Sequence, residues 1–597
     1  MKIKNNIKMF VNLEGVIMRK EFSLSNEKVT INFTAKYCDS FESIMDSKGF
    51  VRIVESYLTK AKAKKSNNFR FLIKSFDTDD IKLIRKSLID AFKLLSMMKT
   101  KEVIAFNSKF ETLLEKEENL LSVIEDIYSY WRKLERYTII HNNRIKSGIA
   151  AVSFTEANEE FSRLILRFYR RVTKNLLNET QNVFRQVPAG GNACLLLNNI
   201  LWPVPSGYEV LEYISFIDSI ALQSPFITYP KKNTRDGMFT ETFENPIRTM
   251  SINKSHWFCY PIKVGELLAY IYFHRDFMSH GITLCNLFET AKPADYKGKK
   301  PDIIYVYGDK YGDEVRTEFY DDKKNDIMVG YINYSDEVDY FGYMKKMILT
   351  LHNLIMIKRG NLPIHGAMVN IHLKSGKEAN VIIMGDSGAG KSESLEAFRT
   401  LSEEYISDMT IIFDDMGTIK LENGGIYGYG TEIGAFVRLD DLDPGYAFKE
   451  MDRSIFMNPD KTNARLVMPV ARYNEIMKGY KVDLFLYANN YTEVKEGLKS
   501  IKYFDNIEEA VTTFRKGARV AKGTTTEKGL VESYFANPFG PAQKSKECDI
   551  LLEKYFKGMF NLGVKVGEIN TCLAIEGMEK EGPRKAALEL FDVIKGL

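Results

Sequence analysis

A chain of 597 residues exceeds what one hydrophobic core supports and predicts two to four domains. Its 45% hydrophobic and 27% charged residues describe a globular protein, and a net charge of +4 gives no basis for a nucleic-acid surface. Six scattered cysteines without a C-x-x-C pair exclude a disulfide framework or a cysteine-rich zinc site. No run approaches the ~20 apolar residues that cross a bilayer, and the first residues lack the apolar core of a signal peptide. A cytoplasmic protein with neither membrane nor nucleic-acid partner is expected.

Residues 1–190 predict a mainly helical N-terminal domain, preceded by a β-like run at Lys28 to Phe33. Ile124, Ile127, Tyr128, Trp131 and Leu134 fall at helical spacing, as do Phe161, Leu164, Ile165, Phe168 and Val172. These stripes read as helix-bundle core, with a cofactor or partner groove as the alternative, so a protein partner is a candidate for this half. Lys60, Lys62, Lys64 and Lys65 read as a solvated helix face. Residues 191–300 predict an α/β domain of unknown role, with a strand at Leu267 to Phe273 and a helix starting after His280. His274 and His280 have no third ligand nearby and read as structural. The polar stretch from Lys292 to Pro301 predicts a boundary, and residues 301–597 a further α/β domain.

Within that last region, Val381 to Met384 is a short apolar strand leading into Gly385, Asp386, Ser387, Gly388, Ala389, Gly390, Lys391 and Ser392. Gly385, Gly390, Lys391 and Ser392 satisfy the phosphate-loop pattern G-x-x-x-x-G-K-[ST]. Glycines let backbone N–H groups converge on phosphate oxygens, and the following helix adds its positive end. Lys391 can reach the outer phosphates of ATP, and the Ser392 hydroxyl can hold Mg²⁺. Further on, the strand Thr410 to Phe413 ends in Asp414 and Asp415, where a carboxylate can hold the metal or its water. His365 opens the strand before the loop strand, which makes it a candidate metal ligand.

The order of these pieces resembles the ATP-dependent phosphoenolpyruvate carboxykinases, and more distantly the HPr kinase/phosphorylases. Tyr343-Met344-Lys345-Lys346 resembles the family's G-E-M-K-K segment, and Ile364-His365-Gly366-Ala367 its M-H-C-S-A. Gly385 to Ser392 resembles G-L-S-G-T-G-K-T, and Asp414-Asp415 the D-D pair. Asn463-Ala464-Arg465 is similar to N-T-R, and Thr526-Glu527-Lys528-Gly529-Leu530-Val531-Glu532 to T-E-x-G-x-T-E. Ile569-Asn570-Thr571 and Arg584 stand where the family has V-N-T and a nucleotide-contacting arginine. The resemblance covers about 320–597. It implies that Lys346, His365 and Asp415 bind Mn²⁺ or Mg²⁺, that Lys391 and Ser392 hold the triphosphate, that Arg465 bridges the transferred phosphoryl group, and that Arg584 lines the nucleotide pocket. Lys346 would ligate a metal only when neutral, which requires a depressed pKa. Three departures stand out: Tyr343 replaces a glutamate, Ser533 a proline, and Asn489-Asn490 lies near an expected aspartate. No N-terminal segment matches G-R-S-P-x-D-K, whose arginine grips the carboxylate substrate.

The resemblance implies conversion of oxaloacetate and ATP to phosphoenolpyruvate, CO₂ and ADP. Two alternatives remain open: a kinase of the HPr-kinase type acting on another small molecule or a protein hydroxyl, with Asp414 as its base, and a non-catalytic nucleotide sensor. The expected architecture is α/β, a phosphate-loop carboxykinase-like nucleotide lobe preceded by a mainly helical, then α/β, N-terminal half. Lys391→Ala is expected to abolish ATP-dependent phosphoryl transfer with unchanged circular dichroism. Retained turnover in a folded variant would remove the loop from the site.

Overall fold

The computed structural model describes residues 20–25, 28–33, 35–139, 154–178, 183–184, 193–222, 226–310, 312, 314–385, 406–439, 442, 450–495, 497–521 and 529–597. The chain is mixed α/β and forms two compact units, Met1–Gln181 and Asn182–Leu597. Among the described residues no helix is long and apolar enough to cross a membrane.

The first unit is helical around a small sheet. The strand Phe22–Ser25 pairs antiparallel with Lys28–Asn32, which pairs parallel with Glu135–Ile139. Its main helices are Lys48–Lys64, Asn67–Phe76, Ile81–Met97, Glu117–Lys133 and Phe154–Leu177. Short polar side chains set where three of them begin: Ser47, Ser66 and Asp80 each accept a backbone N–H of the first turn, satisfying donors that have no partner inside a helix. Leu58, Leu72, Leu88, Leu95 and Val172 are buried in one core. Ile124, Ile127 and Phe168 from the two predicted stripes join them.

The second unit is built on two large sheets. The first runs Val183–Phe184, Phe216–Leu222, Trp257–Val264, Leu267–His274, Ile303–Asp309, Ile327–Asn333, Thr317–Asp322 and Thr240–Glu241. The second contains Gly425–Gly430, Met416–Glu422, Leu362–Leu373, Glu378–Met384, Leu484–Asn489 and Lys565–Asn570 in that spatial order. The helix Phe341–Lys358 is buried on nearly every side, its polar Lys345, Thr350, His352 and Asn353 included, which leaves it no solvent face. Met344, Met347, Ile348, Leu349 and Leu351 pack it into the core of the first sheet, and Ile357 reaches the core of the second.

The predicted division into 191–300 and 301–597 is corrected by this arrangement, in which residues from both sides of position 300 share sheets. Leu267–His274 pairs parallel with Ile303–Asp309, and Phe226–Thr228 pairs parallel with Ile455–Met457. The polar stretch expected to be a boundary is pinned between two neighbouring strands. It contains the helical turn Pro293–Tyr296, and the Tyr270 hydroxyl donates to the carbonyls of Tyr296 (3.0 Å) and Lys299 (2.9 Å). Its many lysines face solvent while Tyr296 is fully buried, so polarity marked an exposed surface of one unit. The His274 ring accepts the Asp276 N–H at 3.3 Å, and His280 lies 2.8 Å from Asp339.

Leu351→Ala should destabilise the second unit by about 2–5 kcal/mol, the usual cost of emptying a fully buried leucine site. Leu83→Ala, at a leucine 54% exposed in the first unit, should cost under about 0.5 kcal/mol. Denaturant titration of the two variants measures both.

Candidate functional site

Three separated segments converge at one end of the helix Phe341–Lys358. Lys345 and Lys346 lie near its start, His365 lies near the start of the strand Leu362–Leu373, and Asp415 follows the strand Ile406–Phe413. In the ladder His365 is opposite Met416, so the aspartate arrives one residue away from it. Backbone hydrogen bonds fix both neighbours: Gly366 donates to the Asp415 carbonyl at 3.0 Å, and Gly385 donates to the His365 carbonyl at 3.1 Å. Gly366 has no room for a side chain, since a Cβ there would stand 2.6 Å from the Ile383 carbonyl. The loop strand Glu378–Met384 therefore ends beside His365. Of the phosphate loop itself, Gly385 alone is described; Asp386, Ser387, Gly388, Ala389, Gly390, Lys391 and Ser392 lie outside the described residues, as do Thr526, Glu527 and Lys528.

Asp415 is the hub. Its Oδ2 accepts from Lys346 Nζ at 2.7 Å and stands 2.6 Å from Lys345 Nζ, while its Oδ1 lies 3.0 Å from His365 Nε2. Lys345 also stands 3.3 Å from Glu432, an ion pair without hydrogen-bond geometry, and neither Glu432 oxygen has a hydrogen-bond partner. Lys345 is 1% exposed and Glu432 2%. Aromatic faces complete the walls. Lys345 and Arg465 lie over Phe436, at 5.5 and 5.3 Å, and Lys346 lies over Phe539 at 4.4 Å.

Burial and charge act against each other here. Burial alone would raise the Asp415 carboxyl, but the Lys345 and Lys346 ammoniums and His365 hold it well below the usual carboxylate range. Burial lowers Lys346, which Asp415 opposes and the neighbouring Lys345 ammonium reinforces, so the net direction is downward. Lys345 goes the other way, because Asp415 and Glu432 together outweigh its burial. Burial pushes the Glu432 carboxyl up to about 7, with Lys345 offsetting only part of the rise. Two adjacent lysines thus differ in basicity, carboxylates outweighing burial at Lys345, burial and the neighbouring ammonium prevailing at Lys346.

The structure tests the fit of a divalent ion through His365. Its Nδ1 lies 2.6 Å from the Ala536 carbonyl, which can only accept, so Nδ1 carries the proton. Nε2 faces the Asp415 carboxylate at 3.0 Å, so a proton on Nε2 or a cation stands between them. Phe535 and Ala536 hold that carbonyl in place with left-handed backbone, φ +52° and +45°, a conformation that costs a residue with a side chain on the order of 1–3 kcal/mol. Lys346, His365 and Asp415 offer a mixed nitrogen and oxygen set, which suits Mn²⁺ better than the oxygen-preferring Mg²⁺. Among the described residues no group of three His, Cys, Asp or Glu side chains is placed to hold a metal ion.

Other predicted residues fall as follows. Arg465 is half-buried at the start of the strand Arg465–Pro469, beside Tyr340 as well as Phe436. Asp414 lies close enough for its charge to raise Lys345. Arg584 is exposed, 3.8 Å from Glu581, on the helix Glu581–Gly596. That helix begins against Thr571 at the end of Lys565–Asn570, which is two strands from the loop strand. Asn489 and Asn490 brace the sheet: Thr571 donates to the Asn489 carbonyl at 2.8 Å, and Asn490 exchanges two 2.9 Å hydrogen bonds with Val520. Tyr343 accepts the Asp236 N–H at 3.2 Å.

Sequence reasoning missed two residues. Glu432 sits in an unremarkable Thr-Glu-Ile turn, and only burial distinguishes it. Arg235 comes from the region before position 300, yet its guanidinium lies 5.1 Å from the centre of the Phe539 ring that Lys346 also faces. A lone Arg-Asp-Gly in a polar stretch gives no signal of this. The chain matches neither known protein-family models nor curated proteins.

A carboxyl whose folded pKa lies above its unfolded value adds stability that is full in acid, below about pH 4, and is lost as pH rises through about 7. Glu432→Gln is permanently neutral and removes this loss. The stability difference between variant and parent should shift in the variant's favour from pH 5 to pH 8, by on the order of 3 kcal/mol. Denaturant titrations at the two pH values measure it, and an equal difference at both would place the Glu432 carboxyl in its ordinary range.

Proposed function

We propose that the chain is an ATP- and divalent-metal-dependent phosphoryl-transfer enzyme of the phosphoenolpyruvate carboxykinase kind, acting on oxaloacetate. The reading rests on one observation above the rest: Lys346 and His365, far apart in sequence, each come within 3.0 Å of the Asp415 carboxylate beside the start of the phosphate loop. Such a loop cradles a triphosphate, and a mixed-donor set next to it fits Mn²⁺. The ion, when bound, would polarise the substrate oxygen and neutralise charge developing on the phosphates.

The chain's own residues have definable roles in this reaction. Arg235 brings a guanidinium to the Phe539 wall from the first part of the unit, where the resemblance had supplied no substrate arginine, and a guanidinium pairs with a carboxylate through two parallel hydrogen bonds. Loss of CO₂ breaks the carbon–carbon bond and leaves its electron pair in the enolate. The enolate oxygen then attacks the γ-phosphorus of ATP, and the bond to the ADP oxygen breaks. The Lys345 ammonium, kept charged by Asp415 and Glu432, favours the negative oxygen, and Arg465 stabilises charge on the phosphoryl oxygens. The phenyl faces of Phe436 and Phe539 keep water from these cations, which strengthens their effect.

A coupled assay for Mn²⁺- and ATP-dependent formation of phosphoenolpyruvate from oxaloacetate tests the reading. Arg465→Lys, which keeps the charge but loses the planar fork, should lower kcat by roughly 10²-fold or more with little change in ATP binding. ATP binding without phosphoenolpyruvate formation would overturn the oxaloacetate assignment in favour of another acceptor.

A further inference from the structure

Among its described residues the first unit has a pocket of about 120 Å³, open on one side, that has no part in the site above. The two apolar stripes expected to be bundle core meet on it: Trp131 from the helix Glu117–Lys133 and Phe161 and Phe168 from Phe154–Leu177 all line the space, with Phe33 and Phe92. Interiors seldom leave voids larger than a water molecule. An apolar cavity of about 150 Å³ lined by leucine, isoleucine and phenylalanine stays dry and binds benzene. By that scale this one takes a body about the size of one aromatic ring.

The polar groups on the wall define what else the occupant carries. Glu21 is used by the protein, accepting the Lys48 N–H at 3.1 Å with the Lys48 ammonium 3.7 Å away. Cys38 donates to the Ser43 carbonyl at 3.3 Å. The Ser47 hydroxyl donates to the Ile44 carbonyl at 2.6 Å and accepts the Phe50 N–H at 3.1 Å. Lys36 is different: it lines the cavity, is only partly exposed, and its ammonium has no hydrogen bond or ion pair among the described residues. The acidic side chain whose charge it reaches, Asp46, is already held by Lys93 at 2.6 Å. A half-buried cation without a partner at the edge of an apolar space is complementary to an anionic head on an apolar body.

We propose that this cavity binds a small amphiphilic monocarboxylate, its aryl or short alkyl body among Trp131, Phe161 and Phe168 and its carboxylate on the Lys36 ammonium. The site is independent of the phosphoryl-transfer reading, and either can fail without the other.

The test uses the full chain and two probes of one shape, 4-phenylbutyrate and its neutral counterpart 4-phenylbutanol, titrated by calorimetry and by tryptophan fluorescence, since Trp131 is in the wall. The carboxylate should bind about tenfold or more tighter than the alcohol, the increment expected of a charge-assisted hydrogen bond. Lys36→Met changes a partly exposed side chain and should equalise the two probes while keeping binding of the alcohol. Ile165→Phe, which adds volume on the cavity wall, should weaken both probes alike. Equal binding of the two probes to the parent chain overturns the proposal. So does persistent preference for the carboxylate in Lys36→Met, or binding of neither probe.

Discussion

The Asp415 carboxylate holds the second unit's site together. It binds Lys346 and Lys345 through one oxygen and faces His365 with the other. Each of these groups would be costly in its position alone. Lys345 in particular lies on a helix with no solvent face, where an unpaired ammonium would be expelled or would lose its proton. Removing one partner from a buried charge cluster commonly costs about 3–5 kcal/mol. The carboxylate therefore makes it possible for a buried apolar helix to begin with two lysines. It raises both lysines, yet burial and the Lys345 ammonium leave Lys346 lowered while Lys345 is held charged.

The sheets explain why this cluster lies where it does. The helix Phe341–Lys358 is fixed by apolar contacts in the cores of both large sheets, so the place of its first turn is set by packing several residues away. His365 and Asp415 are set by adjacent strands in register, and Gly385 by a hydrogen bond to the His365 backbone. Rigid elements supply each part, and the strained Phe535–Ala536 backbone supplies the carbonyl that orients the imidazole. Strain of that kind persists where surrounding structure over-determines it.

Arg235 and Glu432 show how the unit gathers chemistry from regions that look unrelated in sequence. The four-stranded sheet joins Phe226–Thr228 to Ile455–Met457 and on to the strand that starts with Arg465. This pairing carries the segment around Arg235 to the same aromatic walls as Lys346. The first unit, by contrast, uses its aromatic residues to line a cavity on which Lys36 has no hydrogen-bond or ion-pair partner among the described residues. Its helical stripes serve as core and as lining at once, because Ile124, Ile127 and Phe168 are buried yet border the open space.

By itself the sequence determined what is local or strongly periodic. Two helices of the first unit follow from their apolar stripes, and the loop strand from the run Val381 to Met384. His365, Asp415 and Lys346 were legible as candidates because a phosphate loop stood next to them and their order resembled a family. The domain division was not legible, since the lysine-rich Lys292–Pro301 stretch is polar for the sake of its solvent face while Tyr296 anchors it from beneath. Nor were Arg235, Glu432 or the cavity at Lys36. Strand pairing across more than two hundred residues, burial of a single carboxylate, and the partners that other polar groups choose are properties of the packed chain. Sequence spacing carries no record of them, because each depends on which surfaces the tertiary fold removes from water.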